Sequence, residues 1–472
     1  MEDTIVIIPA KGNSSRVPNK NIRPLNEKPL WYWSVAYACN EGLTPVVSTD
    51  SETIIEDCKK VNVAYVRELV DDSKMSNCIR QVLEQDAYKA VKWVVILQPT
   101  SPIRKAGQLS SMLKWCKETG RGSYTAQKVK PQGRILGSFN NCFRSQDQKD
   151  WIYAFDGNIL ICNADRLRDG AELLEQESAA VVQEAPFNMQ IDTEQELLLM
   201  QRMCSSDAGY LPFPAHKPVK RVVVISNKHD YKRNYSEFID GCDLVVRVNK
   251  MNALPTGVVG RRCDMCVSAS WHRTLLHTPE ERRDAALRQI TRVYYLTDPL
   301  DDYGWREHRR IVGSRYALAA EYPFYMLDKT ITWTSFARAA WLVRHMFPTA
   351  ELYVLCDYDV VLRSGNALAD KISAETEWMQ GDKAAIININ EESVEGDGLY
   401  SRELTPQEQE LVARNSAEVI AAEQRVDRAH DQIKNVLQEG RSINIGPYKY
   451  TVSKKVYEAV RELEKETSNV KV

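Results

Sequence analysis

The sequence predicts an α/β protein: a first domain with a mainly parallel sheet, a second α/β domain, and a mostly helical C-terminal region. Three observations carry this. Short apolar runs alternate with helical stretches through the first 205 residues, the rhythm of a parallel sheet with crossover helices. After a stretch without period the same rhythm restarts at Arg221. Beyond Asp382 it gives way to charged segments of helical spacing.

The first strand, Ile5 to Ile8, stops at Pro9 and opens into a small-residue loop carrying Lys11, Arg16 and Lys20. In such a loop the backbone amides of Gly12, Asn13 and Ser14 can turn toward an anion while the cations neutralise it. Ile22 to Lys28 is turn-like. Pro29 to Cys39 is apolar and helical, with Pro29 at the start, where its missing N–H costs nothing. Thr44 to Ser48 is a β-branched strand ending in Ser48-Thr49-Asp50; Asp50 is read either as a sugar contact or as a helix cap. Ser51 to Lys60 is helical and Val63 to Val66 is the next strand. Asp71, Asp72 and Ser73 offer N-cap chemistry to a helix reaching Glu84. Trp93 to Leu97 is a strand ending in Gln98-Pro99-Thr100-Ser101-Pro102. Ligands in parallel sheets sit at the carboxyl ends of strands. Here those ends are the opening loop, the STD segment and the QPTSP segment, all small and polar.

Ser110 to Glu118 is a helix, Ser123 to Val129 a strand, and Asn140 to Lys149 a loop or hairpin. In Trp151 to Cys162 the Asp156-Gly157-Asn158 triplet reads as a turn before a strong strand. Asn188 to Ser205 becomes a helix rich in Leu and Met. Ser205 to Lys220 is rich in Pro and small polar residues, a linker composition. The boundaries are therefore 1–205, a linker at 206–219, a second domain at 220–380 and a helical region at 381–472.

In the second domain Arg221 to Ile225 and Leu244 to Val248 are strands, Gly257 to Asp264 is a turn, and Val293 to Leu296 and Leu352 to Leu355 are further strands. Thr334 to Met346 is a helix with Ala339, Ala340, Leu342 and Val343 toward the core. Ala384 to Ile389 is a last strand. Thr405-Pro406-Gln407-Glu408 starts a helix running to about Gln438, and Lys454 to Glu466 forms another. Ser442 to Val452 reads as a turn and short strand.

Composition narrows the functions. Hydrophobic residues at 43% and charged residues at 27% describe a globular chain. The net charge of -2 gives no general field for nucleic acid or an anionic membrane. No apolar run reaches the roughly 18 residues of a membrane span. No cationic and apolar leader opens the chain, which reads as cytoplasmic. Eleven cysteines are scattered; Cys263 and Cys266 form a lone C-x-x-C without the second pair of a zinc site, so buried, reduced thiols are expected.

The segments IVIIPAKGNSSRVPNKN, IRPLNEKPLWYWSVAYA, VSTDSETI, Arg67-Glu68, ILQPTSPIR and IDTEQEL occur in order between Ile5 and Arg202. Together they resemble the CMP-sialic acid synthetases (N-acylneuraminate cytidylyltransferases), whose opening usually reads IIPARGGSKRIPGKN. The resemblance implies a Rossmann-like nucleotidyltransferase domain that joins CTP to a sialic-acid-type nonulosonate, with Mg²⁺ as cofactor and a homodimer as assembly. It implies that Lys11, Arg16 and Lys20 are the catalytic cations on the triphosphate. Ala10, Gly12, Asn13, Ser14, Asn21 and Arg67 would contact the nucleotide. Gln98 and Arg104 would lie on the sugar side, and Asp192 would ligate the metal, with Gln190 at the second metal position. The chain departs from the family at three of these places. Lys11 replaces an Arg and loses its bidentate grip. Ser15 replaces a Lys, and Gln190 replaces an Asp, lowering the charge available to a metal. Two outcomes stay open: altered efficiency or sugar choice, or a retained fold without catalysis, acting as a binding or scaffold module. Trp31 and Trp33 are expected in the core or an interface.

The segments VVVISN, DLVVRVNK, GVVGRRCD and TWTSFARAAWLV…LYVLCD resemble, between Lys220 and Asp357, the motifs of sialyltransferases. On that resemblance Asn227 and Asn249 contact a cytidine nucleotide, Thr334 and Ser335 lie near its phosphate or the donor carboxylate, and a glycan acceptor receives the sugar. Ser226 and Phe336 replace family glycines. The family's catalytic His after the last motif has no counterpart between His345 and His430. His272, His277 and His308 fall elsewhere in the order and read as structural. Tyr322 and Tyr325 are either phosphate contacts or packing residues. A bifunctional enzyme, synthesising a CMP-sugar and transferring the sugar, is the combined expectation.

Overall fold

The computed structural model describes residues 3–12, 14, 16–26, 28–68, 74–129, 152–175, 177–206, 211–225, 231, 233–248, 257–268, 292–295, 335–356, 385–388, 402–414, 417, 442–445 and 448–451. The first domain is built on seven strands: β1 (Thr4–Pro9), β2 (Pro45–Thr49), β3 (Ala64–Arg67), β4 (Trp93–Leu97), β5 (Ser123–Val129), β6 (Ile152–Asn163) and β7 (Ala179–Gln183). Their order in the sheet is β3-β2-β1-β4-β6-β5-β7. The first four are parallel, and β6 runs antiparallel between β4 and β5. The chain moves outward from β1 to β2 and β3, then returns to the other side of β1 at β4. That reversal opens a crevice beyond the carboxyl ends of β1 and β4. Register sets Pro9 beside Ser48 and Ile7 beside Ile96, so the three polar strand ends of the sequence lie side by side.

The helices follow the sequence signals. Helix α1 (Leu30–Asn40) starts after Pro29, and all eleven of its residues are buried. Helix α2 (Glu52–Val61) is capped by Ser51, whose Oγ accepts from the Ile54 N–H. Helix α3 (Met75–Leu83) begins after Lys74, which makes no side-chain cap; the residues read as its cap, 71–73, lie outside the described ones. Helix α4 (Gln108–Thr119) is bracketed by Gly107 and Gly120, both in the left-handed region. Helix α5 (Ala164–Arg168) and strand β7 are additions to the sequence reading. Asn163 caps α5 through two backbone N–H groups. Helix α6 (Glu194–Ser206) closes the domain.

Two expectations are corrected. Asp156-Gly157-Asn158 is not a turn ahead of the strand. It forms a bulge within continuous β6, where the register against β5 shifts between Tyr124 and Ala126. Gly157 has φ +71°, a value also found in turns, but Asp156 pins the bulge from inside. Nor is the stretch before Lys220 a free linker. Leu211, Phe213, Ala215 and Val219 are buried, the Tyr32 hydroxyl donates to the Pro214 carbonyl at 2.8 Å, and the Val219 N–H donates to the Cys39 carbonyl at 3.0 Å.

Six further strands, all parallel, form a second sheet: β8 (Arg221–Ile225), β9 (Leu244–Val248), β10 (Met265–Ser268), β11 (Arg292–Tyr295), β12 (Glu351–Cys356) and β13 (Ala385–Asn388). Their order is β11-β10-β9-β8-β12-β13. Ala339, Ala340, Leu342 and Val343 of the helix Ser335–Met346 are buried as expected. One apolar core runs from β1 and α1 to Val222, Leu244 and Phe347, and Phe213 meets Phe347 edge-on at 5.8 Å. Arg247, fully buried on β9, donates to the carbonyls of Val259, Gly260 and Arg262 and fixes the turn after Gly257.

Helix 406–414 opens with a reciprocal cap: the Glu408 N–H donates to Thr405 Oγ1 at 3.3 Å and the Thr405 N–H to Glu408 Oε2 at 2.9 Å. Its expected course to Gln438 and the helix at 454–466 fall outside the described residues, except for residue 417. Ser442–Ile445 and Tyr448–Thr451 form an antiparallel hairpin. Among the described residues no helix is long and apolar enough to cross a membrane. Cys263 and Cys266 are buried.

Candidate active site

The site forms where β1, β2 and β4 end. The loop after β1 is tied to β2 at each step. The Ala10 N–H donates to the Ser48 carbonyl at 2.8 Å, and Thr49 Oγ1 donates to the Ala10 carbonyl at 2.6 Å. The Gly12 N–H donates to Asp50 Oδ1 at 2.6 Å. A Cβ on Gly12 would stand 2.7 Å from Ser51 Cβ, so only glycine fits this corner. Asp50, left open between two readings, is thus the carboxylate that holds the loop. Lys11 and Ser14 are part-exposed here, while Asn13 and Ser15 lie outside the described residues. Asn21 is buried; its Nδ2 donates to the Lys11 carbonyl at 2.8 Å, and its Oδ1 has no hydrogen-bond partner.

Lys20 and Arg16 meet Asp192. The Lys20 ammonium donates to the Ile191 carbonyl at 2.7 Å and to Asp192 Oδ1 at 3.3 Å, and Arg16 reaches the same oxygen at 3.1 Å. Lys20 is buried and Arg16 is exposed. Burial pushes the Lys20 amine below the ordinary lysine range, and the Asp192 charge partly opposes that shift. The Asp192 and Thr193 N–H groups both donate to Glu196 Oε2 at 2.8 Å, anchoring the segment at the start of α6. A protected cation, an exposed cation and a carboxylate thus converge beside the loop, an arrangement that can receive a polyphosphate.

The other wall is polar and mostly buried. Arg104, read as a sugar contact, turns inward. It donates to the Gln98 carbonyl at 2.7 Å, to Ser34 Oγ at 3.1 Å and to the Asn158 carbonyl at 3.3 Å, with its guanidinium 5.5 Å from the Tyr37 ring centre. Burial lowers its pKa to about 10. The bulge in β6 continues this network. Asp156 Oδ1 accepts from Thr125 Oγ1 at 2.5 Å and from the Asn158 N–H at 3.0 Å, and its Oδ2 accepts from Gln183 Nε2 at 3.2 Å. Burial raises the Asp156 pKa against these bonds. Asn158 Nδ2 donates to the carbonyls of Phe187 at 2.7 Å and Ile103 at 3.3 Å. Sequence reasoning missed this network, because its only local signal, Asp-Gly-Asn, also spells a turn.

Gln98 and Gln190 come together over Gly157. A Cβ there would lie 2.9 Å from Gln98 Oε1 and 3.0 Å from Gln190 Nε2. Arg67 points elsewhere and pairs with Glu52. Its neighbour Glu68 is buried and accepts from Ser48 Oγ at 3.0 Å. Among the described residues no three His, Cys, Asp or Glu side chains group as a metal cluster. Trp31 and Trp33 are core residues. Of the second-domain positions, Asn227, Asn249 and Thr334 lie outside the described residues, as do Tyr322, Tyr325, His272, His277 and His308; Ser335 opens its helix.

Residues 5–203 match the family described as Cytidylyltransferase. A CMP-N,N'-diacetyllegionaminic acid synthase from Legionella pneumophila is 29% identical over 34% of this chain and 79% of its own length. An N-acylneuraminate cytidylyltransferase from Streptococcus agalactiae serotype III is 25% identical over 41% of this chain, and this chain spans about half (51%) of that relative's length. A pseudaminic acid cytidylyltransferase from Campylobacter jejuni is 40% identical over 16% of this chain and 36% of its own length.

Proposed function

We propose that this chain, whose residues 5–203 match the cytidylyltransferase family, couples CTP to a nonulosonate sugar acid in that region and releases pyrophosphate. The names of its relatives support the substrate class. The observation that carries the reading is the meeting of Lys20, Arg16 and Asp192 beside the loop after β1. In the reaction the anomeric hydroxyl oxygen of the sugar bonds to the α-phosphorus of CTP. The bond from that phosphorus to the bridging oxygen breaks, pyrophosphate leaves, and the hydroxyl proton passes to solvent.

Little covalent work falls to the protein, so positioning and charge dominate. Lys20 holds a fixed positive charge where the leaving phosphates gather, and exposed Arg16 can exchange its Asp192 partner for them. Lys11 and the turn at Gly12 complete the cradle. Asp50 keeps that turn in shape until a phosphate oxygen competes for the Gly12 N–H. Mg²⁺ commonly takes one or two carboxylates and completes its shell with phosphate oxygens and water. Asp192, one-third exposed beside the cations, fits that role as a single carboxylate. The ion would neutralise triphosphate charge.

The second domain is proposed to use the product, passing the sugar from the CMP-sugar to a glycan acceptor. Its motif order and its all-parallel sheet support that reading. Two domains packed on one core would keep a labile intermediate close to its consumer. The expected setting is the cytoplasm, with the chain as a homodimer.

The test is pyrophosphate release by the full-length protein with CTP, Mg²⁺ and N-acetylneuraminate, Kdn or another nonulosonate. Release with at least one sugar supports the reading; none with any sugar leaves the binding-module alternative. For the second domain, CMP binding measured by calorimetry should weaken on Asn227→Ala and Asn249→Ala, and unchanged binding would remove that assignment.

A further inference from the structure

Gly157 sits at φ +71° in the bulge of β6, and two side-chain amides occupy the space where its side chain would begin. They come from distant places: Gln98 from the end of β4, and Gln190 from the segment before α6. Both remain part-exposed. Each is held by its own backbone. The Gln98 carbonyl is clamped by Arg104. Next to Gln190, the Ile191 N–H donates to the Thr100 carbonyl at 2.9 Å and the Ile191 carbonyl receives the Lys20 ammonium. Gln190 therefore stands one residue from the charge cluster, on the junction between the phosphate side and the amide side.

We propose that Gln190 is a specificity-determining sugar contact that works with Gln98 as an amide pair, rather than a metal ligand. The pair reads an uncharged group of the sugar that both donates and accepts hydrogen bonds, a hydroxyl or an acylamino group. This rests on the cytidylyltransferase reading above. Each amide offers two N–H donors and an acceptor oxygen, so two together match a group with both functions. A neutral amide is a weak competitor for Mg²⁺ beside phosphates and a carboxylate. A carboxylate at position 190 would present only acceptors and would repel the sugar's own carboxylate. Replacing it with an amide moves the residue from the metal to the sugar. A site that hydrogen-bonds a substrate group discriminates strongly against loss of the bond.

The test uses the full-length protein and compares wild type with Gln190→Ala and Gln190→Met, the second keeping side-chain volume. KM for the sugar, KM for CTP and the Mg²⁺ concentration giving half-maximal rate are measured with N-acetylneuraminate and with Kdn. Circular dichroism selects the folded variant. The expected result is a sugar KM raised at least tenfold, with the CTP and Mg²⁺ values within twofold of wild type. A larger rise with N-acetylneuraminate than with Kdn assigns the acylamino group; equal rises assign a hydroxyl. A tenfold rise in the Mg²⁺ requirement with an unchanged sugar KM overturns the proposal, as does no change in any value. Wild-type protein inactive with every nonulosonate offered, N-acetylneuraminate and Kdn included, would overturn the underlying reading as well, which distinguishes that failure from a wrong role for Gln190.

Discussion

Lys20 and Asp192 lie 172 positions apart in the chain and 3.3 Å apart in the fold. The pair closes the candidate site, because it joins the loop after β1 to the segment that leads into α6. With the 2.7 Å bond from Lys20 to the Ile191 carbonyl, it fixes the loop's buried cation relative to that segment.

Lys20→Met removes the buried positive charge and the bond to the Ile191 carbonyl. Losing one well-placed charged donor at a developing anion costs about 10²–10³-fold in rate. Steady-state pyrophosphate release should show that loss mainly in kcat. Lys20→Arg should recover only part of it, since a buried slot shaped for an ammonium does not fit a planar fork.

The pH profile of the same reaction carries the sign of the Lys20 shift. Its folded pKa lies below 10.5, because burial disfavours the charged form. The ammonium is therefore lost at a lower pH than in the unfolded chain. Its burial penalises stability fully at neutral pH, and that penalty fades as pH rises through the folded pKa. The alkaline limb of kcat/KM for CTP should begin below pH 10.5 in wild type and be absent from Lys20→Arg over the same range.

Gly12→Ala should raise the KM for CTP at least tenfold with a small effect on melting temperature. The added Cβ would meet Ser51 Cβ at 2.7 Å and displace the turn that carries the Gly12 N–H. Asp50→Asn keeps an acceptor for that N–H and should be milder than Asp50→Ala. CTP titrations of the four proteins check the order.

Arg104→Met should destabilise the first domain by about 2–4 kcal/mol, because it removes the buried charged donor to Gln98, Ser34 and Asn158. Denaturant unfolding measures it. Arg104→Lys should rescue little, having one point charge for three separated acceptors. A substrate contact would instead show normal stability and a raised sugar KM.

The sequence was legible where burial alone decides structure. Trp93–Leu97 is a continuous apolar run and Arg221–Ile225 and Leu244–Val248 are apolar but for one Arg each, and each is a fully buried or nearly fully buried strand with the expected ends. The Lys20, Arg16 and Asp192 positions came from ordered motifs and do meet in space. What stayed hidden depends on remote partners. The proline-rich stretch before Lys220 packs because Tyr32 and Cys39 of α1 await it, which no local composition shows. Asp156-Gly157-Asn158 has the letters of a turn, but Thr125 and Gln183 hold it inside a strand. Arg104 looked like a ligand contact from its place in the motif; its three acceptors come from α1, β4 and β6. Strand β7 is short and half-exposed, so its apolar signal is weak.

The central claim is that the first domain transfers a cytidylyl group to a sugar. Phosphorus NMR of full-length protein with CTP, Mg²⁺ and a nonulosonate tests it most directly. The account predicts that the three CTP signals give way to one phosphodiester signal and pyrophosphate in equal molar amounts, only when sugar is present. Unchanged CTP with every nonulosonate offered, or conversion to CDP and inorganic phosphate, would contradict it.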